Sequence, residues 1–245
     1  MSQLRIALLN AAHDGEHTRR NFRREVDADL VEYHVTEGEL PETFAFDACI
    51  VTGSRASVYW DEPWIADVKE WVGDAIDRGM PVFGVCWGHQ LLADVLDGTV
   101  KDMGEYEIGY RTVEHSGDSP LFEGIDEEFT VFTTHSDRVA ALPPGADCIA
   151  ENDYGIHGFQ KGTVFAVQFH PEYDMATAEK VTKGKDQLTA QRGQQVLDGI
   201  TDENYAAACE AKTLFENFTQ FVRDHREGVS VEESAATGAE QTADD

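Results

Sequence analysis

Short, almost continuously apolar runs alternate along the chain with segments whose apolar residues recur at helical spacing. The runs at residues 4–9 and 46–52 are typical of strands buried on both faces of a parallel sheet. Residues 63–76 carry their apolar side chains on one helical face, with Asp61 as a candidate cap and Pro63 in the first turn. This alternation predicts an α/β fold, an open, mostly parallel twisted sheet with helices on both faces.

The second half of the chain has a different pattern. Three shorter strands are expected there, at residues 106–113, 128–133 and 148–153. After a polar, mixed stretch, residues 201–222 read as a helix with one apolar side, which should dock on the sheet. We therefore expect one domain over 1–226, with a helical extension from about 174 to 226. The run 227–245 has too little apolar surface to order itself and is predicted to be a flexible acidic tail.

One strand-to-helix junction carries candidate chemistry. The apolar residues 82–85 run into Cys86, and leucines at helical spacing follow it. Gly84 and Gly88 flank the cysteine, as a sharp elbow requires where backbones approach closely. A thiol at a helix N-terminus is favoured as thiolate, so Cys86 is a candidate nucleophile. The alternative is that Cys86 is one more small buried hydrophobic residue.

A cysteine nucleophile needs a base, and the base usually needs an orienting acid. Residues 163–169 read as a further strand that ends in His170, with Glu172 two positions later. Pro171 between them favours extended geometry, so the imidazole and the carboxylate can share one side of the strand end. The alternative is a surface pair at the end of an edge strand.

Two motifs together resemble a known family. They are Gly84-Val85-Cys86-Trp87-Gly88-His89-Gln90 and Gln168-Phe169-His170-Pro171-Glu172. Over residues 6–172 the chain resembles the class I glutamine amidotransferases, and most of all the free-standing members similar to the glutaminase domain of GMP synthetase. The resemblance implies a flavodoxin-like fold in which Cys86 is the nucleophile, His170 the base and Glu172 its partner, with no metal and no cofactor.

The resemblance extends to residues that would contact the substrate. It implies that the backbone N–H groups of Gly53 and Trp87 receive the oxyanion, and that Gln90, His135 and Ser136 hold glutamine. The alternative for Gln90 is an ordinary helix-surface amide. The residues after Gly53, at 54–57, depart from the family pattern, which commonly has a second glycine or proline there.

The expected reaction is hydrolysis of the side-chain amide of glutamine or of another γ-glutamyl compound. Either the ammonia passes to a separate ammonia-accepting synthetase subunit, or the chain acts alone as a γ-glutamyl peptidase. A cysteine-elbow hydrolase or chaperone with the same sheet is a rival interpretation, but it does not predict His170-Pro171-Glu172. A catalytically silent relative that binds a metabolite or a protein is a further alternative.

Charge is the unusual feature of the composition. Asp and Glu number 47 against 19 Lys and Arg, which gives a formal net charge of −28. The acids are dispersed along the chain, which indicates a surface adapted to high salt and argues against nucleic acid or anionic membranes as partners. The cluster Arg19–Arg24 is an exception; it could meet an anionic partner or form a solvated face bonded to Glu25 and Asp27.

The charge makes a testable prediction about salt. We expect the melting temperature to fall as KCl is lowered from molar to millimolar, because screening within about 3 Å at 1 M salt removes self-repulsion among the acids. Thermal unfolding followed by circular dichroism across a KCl series measures this. A melting temperature that rises on dilution of the salt would refute the halophilic interpretation.

The remaining sequence signals are weaker. Four cysteines have neither metal-type spacing nor a paired framework, which fits a reducing compartment. No apolar run reaches the roughly 18 residues that a membrane span needs, and no export signal is visible, so we expect a cytoplasmic protein. His13 and His17 could pair on a metal, but Gly15 weakens the helix that this would need and no third ligand is evident.

Overall fold

The computed structural model describes residues 3–13 and 15–240. Its parallel half contains five strands, β1 (Arg5–Asn10), β2 (Asp29–His34), β3 (Ala48–Val51), β4 (Val82–Val85) and β9 (Val164–Val167). Their spatial order in the sheet is β2-β1-β3-β4-β9. Almost all residues of β1, β3, β4 and β9 are buried, as the continuous apolar runs predict.

Four antiparallel strands continue the same sheet beyond β9, in the order β8-β7-β5-β6. They are β5 (Thr99–His115), β6 (Glu128–Ala141), β7 (Asp147–Asn152) and β8 (Gly155–Lys161). Two expectations need correction here. β5 and β6 are much longer than the short strands predicted, because they pair with each other along most of their length, and β8 was not predicted.

Seven α-helices flank the sheet in the described part of the chain. They are α1 (Gly15–Glu25), α2 (Pro63–Asp77), α3 (Trp87–Val95), α4 (Met175–Lys183), α5 (Ala190–Asp198), α6 (Asp202–Ala208) and α7 (Thr213–Glu240). α2 begins at Pro63 as expected, but its capping position is Glu62, in extended backbone and without a side-chain cap, rather than Asp61.

Two apolar layers confirm that helices cover both faces of the sheet. On one face α1 and α7 pack against the strands through Phe22, Phe215 and Phe218, which contact Phe83 or one another. On the other face α2 and α3 bury a second cluster, which includes Trp71. The predicted docking of the last helix on the sheet is thus confirmed. The single helix expected over 201–222 is wrong, because this stretch forms α6, a 3₁₀ helix at Cys209–Lys212 and the start of α7.

A third apolar cluster lies where α4 and α5 cover β5 and β6, and contains Ile108, Phe132 and Val196. The helical segment after residue 174 therefore packs on the antiparallel half of the sheet. α7 continues to Glu240, past residue 227, where the flexible tail was expected to begin. The domain limit at 226 stays a prediction, and residues 241–245 lie outside the described part.

Candidate active site

Cys86 lies at the turn between β4 and α3. Its backbone has φ 56° and ψ −101°, an unusual conformation for a residue with a side chain. A Cβ on Gly84 would lie 2.5 Å from the carbonyl oxygen of Gly88, and one on Gly88 would lie 2.3 Å from that of Val51. Both clashes involve backbone atoms, which cannot move aside. The structure therefore supplies the physical reason for the glycine on each side of Cys86.

His170 and Glu172 follow β9 and form a buried pair. The Nδ1–H of His170 donates to Oε1 of Glu172 at 2.8 Å, and both residues are at least nine-tenths buried. The backbone N–H of His170 donates to the carbonyl of Phe132 in β6 at 2.9 Å. The strand end thus fixes the imidazole from two directions, and this pair is not a surface pair on an edge strand.

Gly53, at the end of β3, brings the cysteine and the histidine together. A Cβ placed on Gly53 would lie 3.0 Å from Cε1 of His170 and 3.9 Å from Sγ of Cys86. Cys86, His170, Glu172 and Gly53 line one common cleft. The three strands β3, β4 and β9 are adjacent and parallel, so their carboxyl ends necessarily meet at one edge.

The electrostatics of the cleft favour a protonated His170. Burial by itself lowers the pKa of this imidazole, but the negative charges of Glu172 and Cys86 outweigh it and raise the pKa to about 10. The Nε2 atom is buried and makes no hydrogen bond within the described residues. That nitrogen is therefore available to a reacting group in the cleft.

Two backbone N–H groups beside Cys86 have no acceptor among the described residues. Gly53 lies in a loop, and Trp87 occupies the first position of α3, where a helical N–H lacks an intrahelical partner. Trp87 lines a second pocket that also reaches Cys86. Their predicted oxyanion role remains a prediction, with both donors present near the sulfur.

The three residues expected to hold glutamine, Gln90, His135 and Ser136, all line this second pocket with Cys86. Gln90 is buried, and its Nε2 donates to the Asp137 carbonyl at 3.0 Å and to Oε1 of Gln168 at 3.1 Å. It is therefore not an ordinary surface amide. Its carbonyl oxygen makes no hydrogen bond within the described residues, so this atom is the one left for a ligand.

His135 belongs to a buried polar cluster that the sequence did not reveal. Its Nδ1 donates to the Asp137 carbonyl at 2.9 Å, and its Nε2 lies 2.7 Å from Oε2 of Glu107. His157 approaches the same carboxylate oxygen at 3.1 Å, and Asn152 donates to the other one. Nδ1 of His135 is thus hydrogen-bonded, whereas its Nε2 lies at ion-pair distance from Glu107 without a hydrogen bond of good geometry.

The Glu107 cluster has the right atoms for a metal, and it also has the contacts of a buried carboxylate beside two histidines. The ligand atoms of Glu107, His135 and His157 lie within 4.8 Å of one another. Burial alone would raise the pKa of Glu107, yet hydrogen bonds and charge from the two histidines hold it well below its usual value. A carboxylate bonded directly to imidazole accounts for these contacts. That no metal is required stays a prediction.

Asp137 ties the loop after Gly53 to β6. Its carboxylate accepts hydrogen bonds from the hydroxyls of Ser57 and Tyr59. Ser54 and Arg55 of this loop line both pockets beside Cys86. The loop segment that departs from the family pattern is thus held by contacts of its own and forms part of the cleft wall.

The basic cluster on α1 binds the protein itself. Arg20 and Arg24 both donate to Asp174, at 2.7 and 3.0 Å, and Arg24 also donates to the backbone carbonyl of Glu172 at 2.7 Å. Arg24 pairs with Glu25 as expected, whereas Asp27 pairs with Arg223. Two of these arginines therefore fix the segment that carries Glu172.

From the predicted roles of Cys86, His170 and Glu172, we expect Arg24→Met to lower kcat by roughly 3- to 10-fold, because misplacing Glu172 would disturb the orientation of His170. KM should change little, since Arg24 does not line the pocket. The matched control is Arg23→Met, which removes the same charge one residue earlier from an exposed side chain without a partner among the described residues. Equal kcat values for the two variants would contradict this role.

The fold and the buried elbow define an α/β protein with a cysteine and a histidine–carboxylate pair at the carboxyl edge of its parallel strands. The sequence matches the family model of glutamine amidotransferase class-I over residues 16–186. The chain belongs to this family, which confirms the predicted family and the class of enzyme.

The curated relatives include proteins named GMP synthase [glutamine-hydrolyzing]. The one from Thermomicrobium roseum is 38% identical over 50% of this chain and 23% of its own length. The one from Helicobacter acinonychis is 30% identical over 70% of this chain and 30% of its own length. The chain therefore spans about a quarter to a third of the curated relatives it matches.

Solved structures share the fold at low identity. A glutamine amidotransferase from Thermotoga maritima has a TM-score of 0.75 at 22% identity, over 89% of this chain and 99% of that one. A glutamine amidotransferase from Methylobacillus flagellatus has a TM-score of 0.72 at 18% identity, over 90% and 95% of the two chains. The predicted sheet architecture is thus confirmed.

Among the described residues, no helix combines the length and the apolar character needed to cross a bilayer. The cytoplasmic location stays a prediction.

Proposed function

We propose that the chain hydrolyses the side-chain amide of glutamine to glutamate and ammonia through a thioester on Cys86. The observation that carries this proposal is the shared cleft in which a strained elbow cysteine and the buried His170–Glu172 pair meet beside Gly53. Nucleophile, base and orienting acid in this order are the parts that acyl transfer needs.

In the first half of the reaction, the thiolate of Cys86 attacks the amide carbon. The N–H groups of Gly53 and Trp87 receive the oxyanion, and one such donor is typically worth about 2.7–4 kcal/mol in the transition state. Protonated His170 gives its Nε2 proton to the departing nitrogen. The C–N bond breaks, ammonia leaves, and the glutamyl group remains on sulfur as a thioester.

In the second half, neutral His170 takes a proton from water through Nε2. The resulting hydroxide attacks the thioester, the C–S bond breaks and glutamate is released. Cys86 is again a thiolate and His170 again an imidazolium. Glu172 keeps Nδ1–H oriented throughout, so Nε2 stays directed at the reacting groups.

The ammonia is proposed to pass to a separate synthetase polypeptide. The curated relatives are named GMP synthase [glutamine-hydrolyzing], a name that joins glutamine hydrolysis to a synthetase reaction, and this supports a synthetase as the acceptor. The high negative charge of the chain favours a partner with a basic docking face over nucleic acid or an anionic membrane.

The extent of the cleft supports hydrolysis of γ-glutamyl peptides as a second candidate function. Beyond His170 the cleft continues along α4 and the start of α1, where His17, Thr177, Lys180 and Lys185 line it. The leaving nitrogen must lie on the side of His170, since this residue protonates it. A leaving group larger than ammonia, with a carboxylate, would lie against these side chains.

Release of glutamate from a substrate panel tests the proposal. Glutamine and γ-glutamyl amino acids are incubated with the purified chain at molar KCl, with and without cell extract. We expect hydrolysis of glutamine, stimulated by extract if an acceptor protein is present. Faster hydrolysis of γ-glutamyl amino acids by the isolated chain would favour the second candidate. No glutamate from any compound in either condition would contradict both.

Thiol labelling tests the nucleophile without turnover. Iodoacetamide should alkylate Cys86 much faster than Cys49, Cys148 or Cys209, as measured by peptide mass spectrometry, and glutamine should protect it. Burial raises the pKa of Cys49, and burial with the charge of Glu151 raises that of Cys148, so both are poor competitors. Indifferent labelling would point to the catalytically silent alternative.

A further inference from the structure

Tyr173 lies flat against the imidazole of His170. The two ring centroids are 4.0 Å apart and the planes differ by 21°. The contact uses the face of the imidazole, so the stacking blocks neither ring nitrogen at its edge. Nδ1 reaches Glu172, and Nε2 makes no hydrogen bond within the described residues. Tyr173 covers the ring without competing for either proton.

An aromatic column holds Tyr173 in place. Phe132 lies behind it with ring centroids 5.9 Å apart, and Tyr110 meets Phe132 edge-on at 5.2 Å. The carbonyl of Phe132 also accepts the backbone N–H of His170. This column belongs to the apolar cluster that α4 and α5 cover. The helices after residue 174 therefore support one wall of the catalytic cleft.

We propose that Tyr173 is a positioning residue that stabilises the protonated state of His170 by stacking its ring on the imidazolium. The face of an aromatic ring carries negative potential, and a desolvated cation above it is attracted. The inference rests on the proposed function, in which the imidazolium is the proton donor to the leaving nitrogen.

Several charged groups surround the pair and must be counted in any titration. Glu172 and Cys86 favour the imidazolium, against the effect of burial. Arg55 faces Tyr173, and Tyr106 also acts on it. His13, His17, Lys180 and Lys185 line the same cleft. Burial and the charges of Glu172 and Cys86 raise the pKa of Tyr173, so its phenol is neutral while His170 is charged.

Two substitutions separate the aromatic face from the rest of the side chain. Tyr173→Phe keeps the ring and removes the hydroxyl, which makes no hydrogen bond with the described residues. Tyr173→Leu keeps an apolar cover over His170 but has no π-face. Tyr173→Met serves the same purpose if the leucine variant is unstable, and thermal melts establish that each variant is folded.

The titration of His170 is followed by NMR of protein labelled with ¹³C at histidine Cε1, with the signal assigned from its loss in His170→Gln. We expect a parent midpoint near pH 10, since the pKa is raised to about 10. Tyr173→Leu should lower the midpoint by about 0.5–1.5 units, and Tyr173→Phe should leave it unchanged. The alkaline limb of kcat/KM for glutamine should move in parallel.

A leucine variant that titrates with the parent midpoint would overturn the inference, as would a phenylalanine variant shifted as far as the leucine one. The NMR readout does not depend on turnover. If the chain released no glutamate while the midpoints behaved as expected, the proposed function would fail and the stacking role would stand.

Discussion

Replacing Cys86 with alanine should abolish glutamine hydrolysis, with kcat falling by about 10⁴-fold or more, because removing a nucleophile leaves only the contribution of binding and the oxyanion donors. Glutamine binding should survive, since the pocket lined by Gln90 and the β6 residues remains intact. Steady-state glutamate release measures the first effect, and titration calorimetry of the inactive variant with glutamine measures the second.

Cys148→Ala is the matched control, because it removes an exposed thiol on β7 that does not line the cleft. It should retain the parent kcat and KM. Hydrolysis by the Cys86 variant at the parent rate would end the thioester mechanism. An inactive variant that also loses glutamine binding would instead show that this residue shapes the pocket.

The second large effect concerns the elbow itself. Gly88→Ala should destabilise the protein by about 3 kcal/mol, because its methyl group would lie 2.3 Å from the backbone oxygen of Val51 and force α3 away from β3. For a chain of this length the melting temperature should fall by roughly 6–12 °C. Activity should also fall at temperatures where the variant is still folded, since the N–H of Trp87 moves with the helix.

Gly193→Ala is the corresponding control in α5, where an added Cβ meets no atom within 4 Å. Alanine there should stabilise the helix by about 0.5–1 kcal/mol, since glycine is the poorer helix former. Thermal unfolding of both variants at the same KCl concentration gives the comparison. An unaltered melting temperature for Gly88→Ala would mean that the backbone can relax at the elbow.

Cys86→Ala and Gly88→Ala also distinguish two reasons for an inactive protein. Cys86→Ala should lose chemistry while keeping the parent melting temperature, because alanine fits the same buried site. Gly88→Ala should lose both together. Measuring stability and kcat on each variant therefore distinguishes the loss of a reacting atom from the loss of its scaffold.

The catalytic candidates were predictable because the signal for each lies within a short stretch of sequence. Cys86 lies between two glycines, where the spacing of apolar residues changes from that of a strand to that of a helix. His170 and Glu172 lie on either side of a proline at a strand end. The physical causes are local: close backbone approach, a helix start and a fixed proline φ. Nothing distant in the chain has to be known to recognise them.

Other functional contacts were not predictable in this way. Glu107 meets His135 and His157 only because β5, β6 and β8 lie in the same antiparallel half of the sheet, and β8 was not predicted. Arg24 reaches the carbonyl of Glu172 across 148 positions of sequence. Such pairings depend on strand order and helix docking, which cannot be predicted from the spacing of apolar residues along the chain.

An α/β fold with a cysteine elbow and a histidine–glutamate strand end could be predicted from the sequence alone, because backbone sterics and the spacing of apolar residues dictate those features. The contacts around these residues are visible only in the folded structure: Cys86 and His170 meet beside Gly53, Arg24 binds the Glu172 carbonyl, Tyr173 stacks on His170, and His135 lies beside Glu107. The reason is that packing brings together residues far apart in the chain, and the chemistry of a site depends on those neighbours as much as on the residue itself.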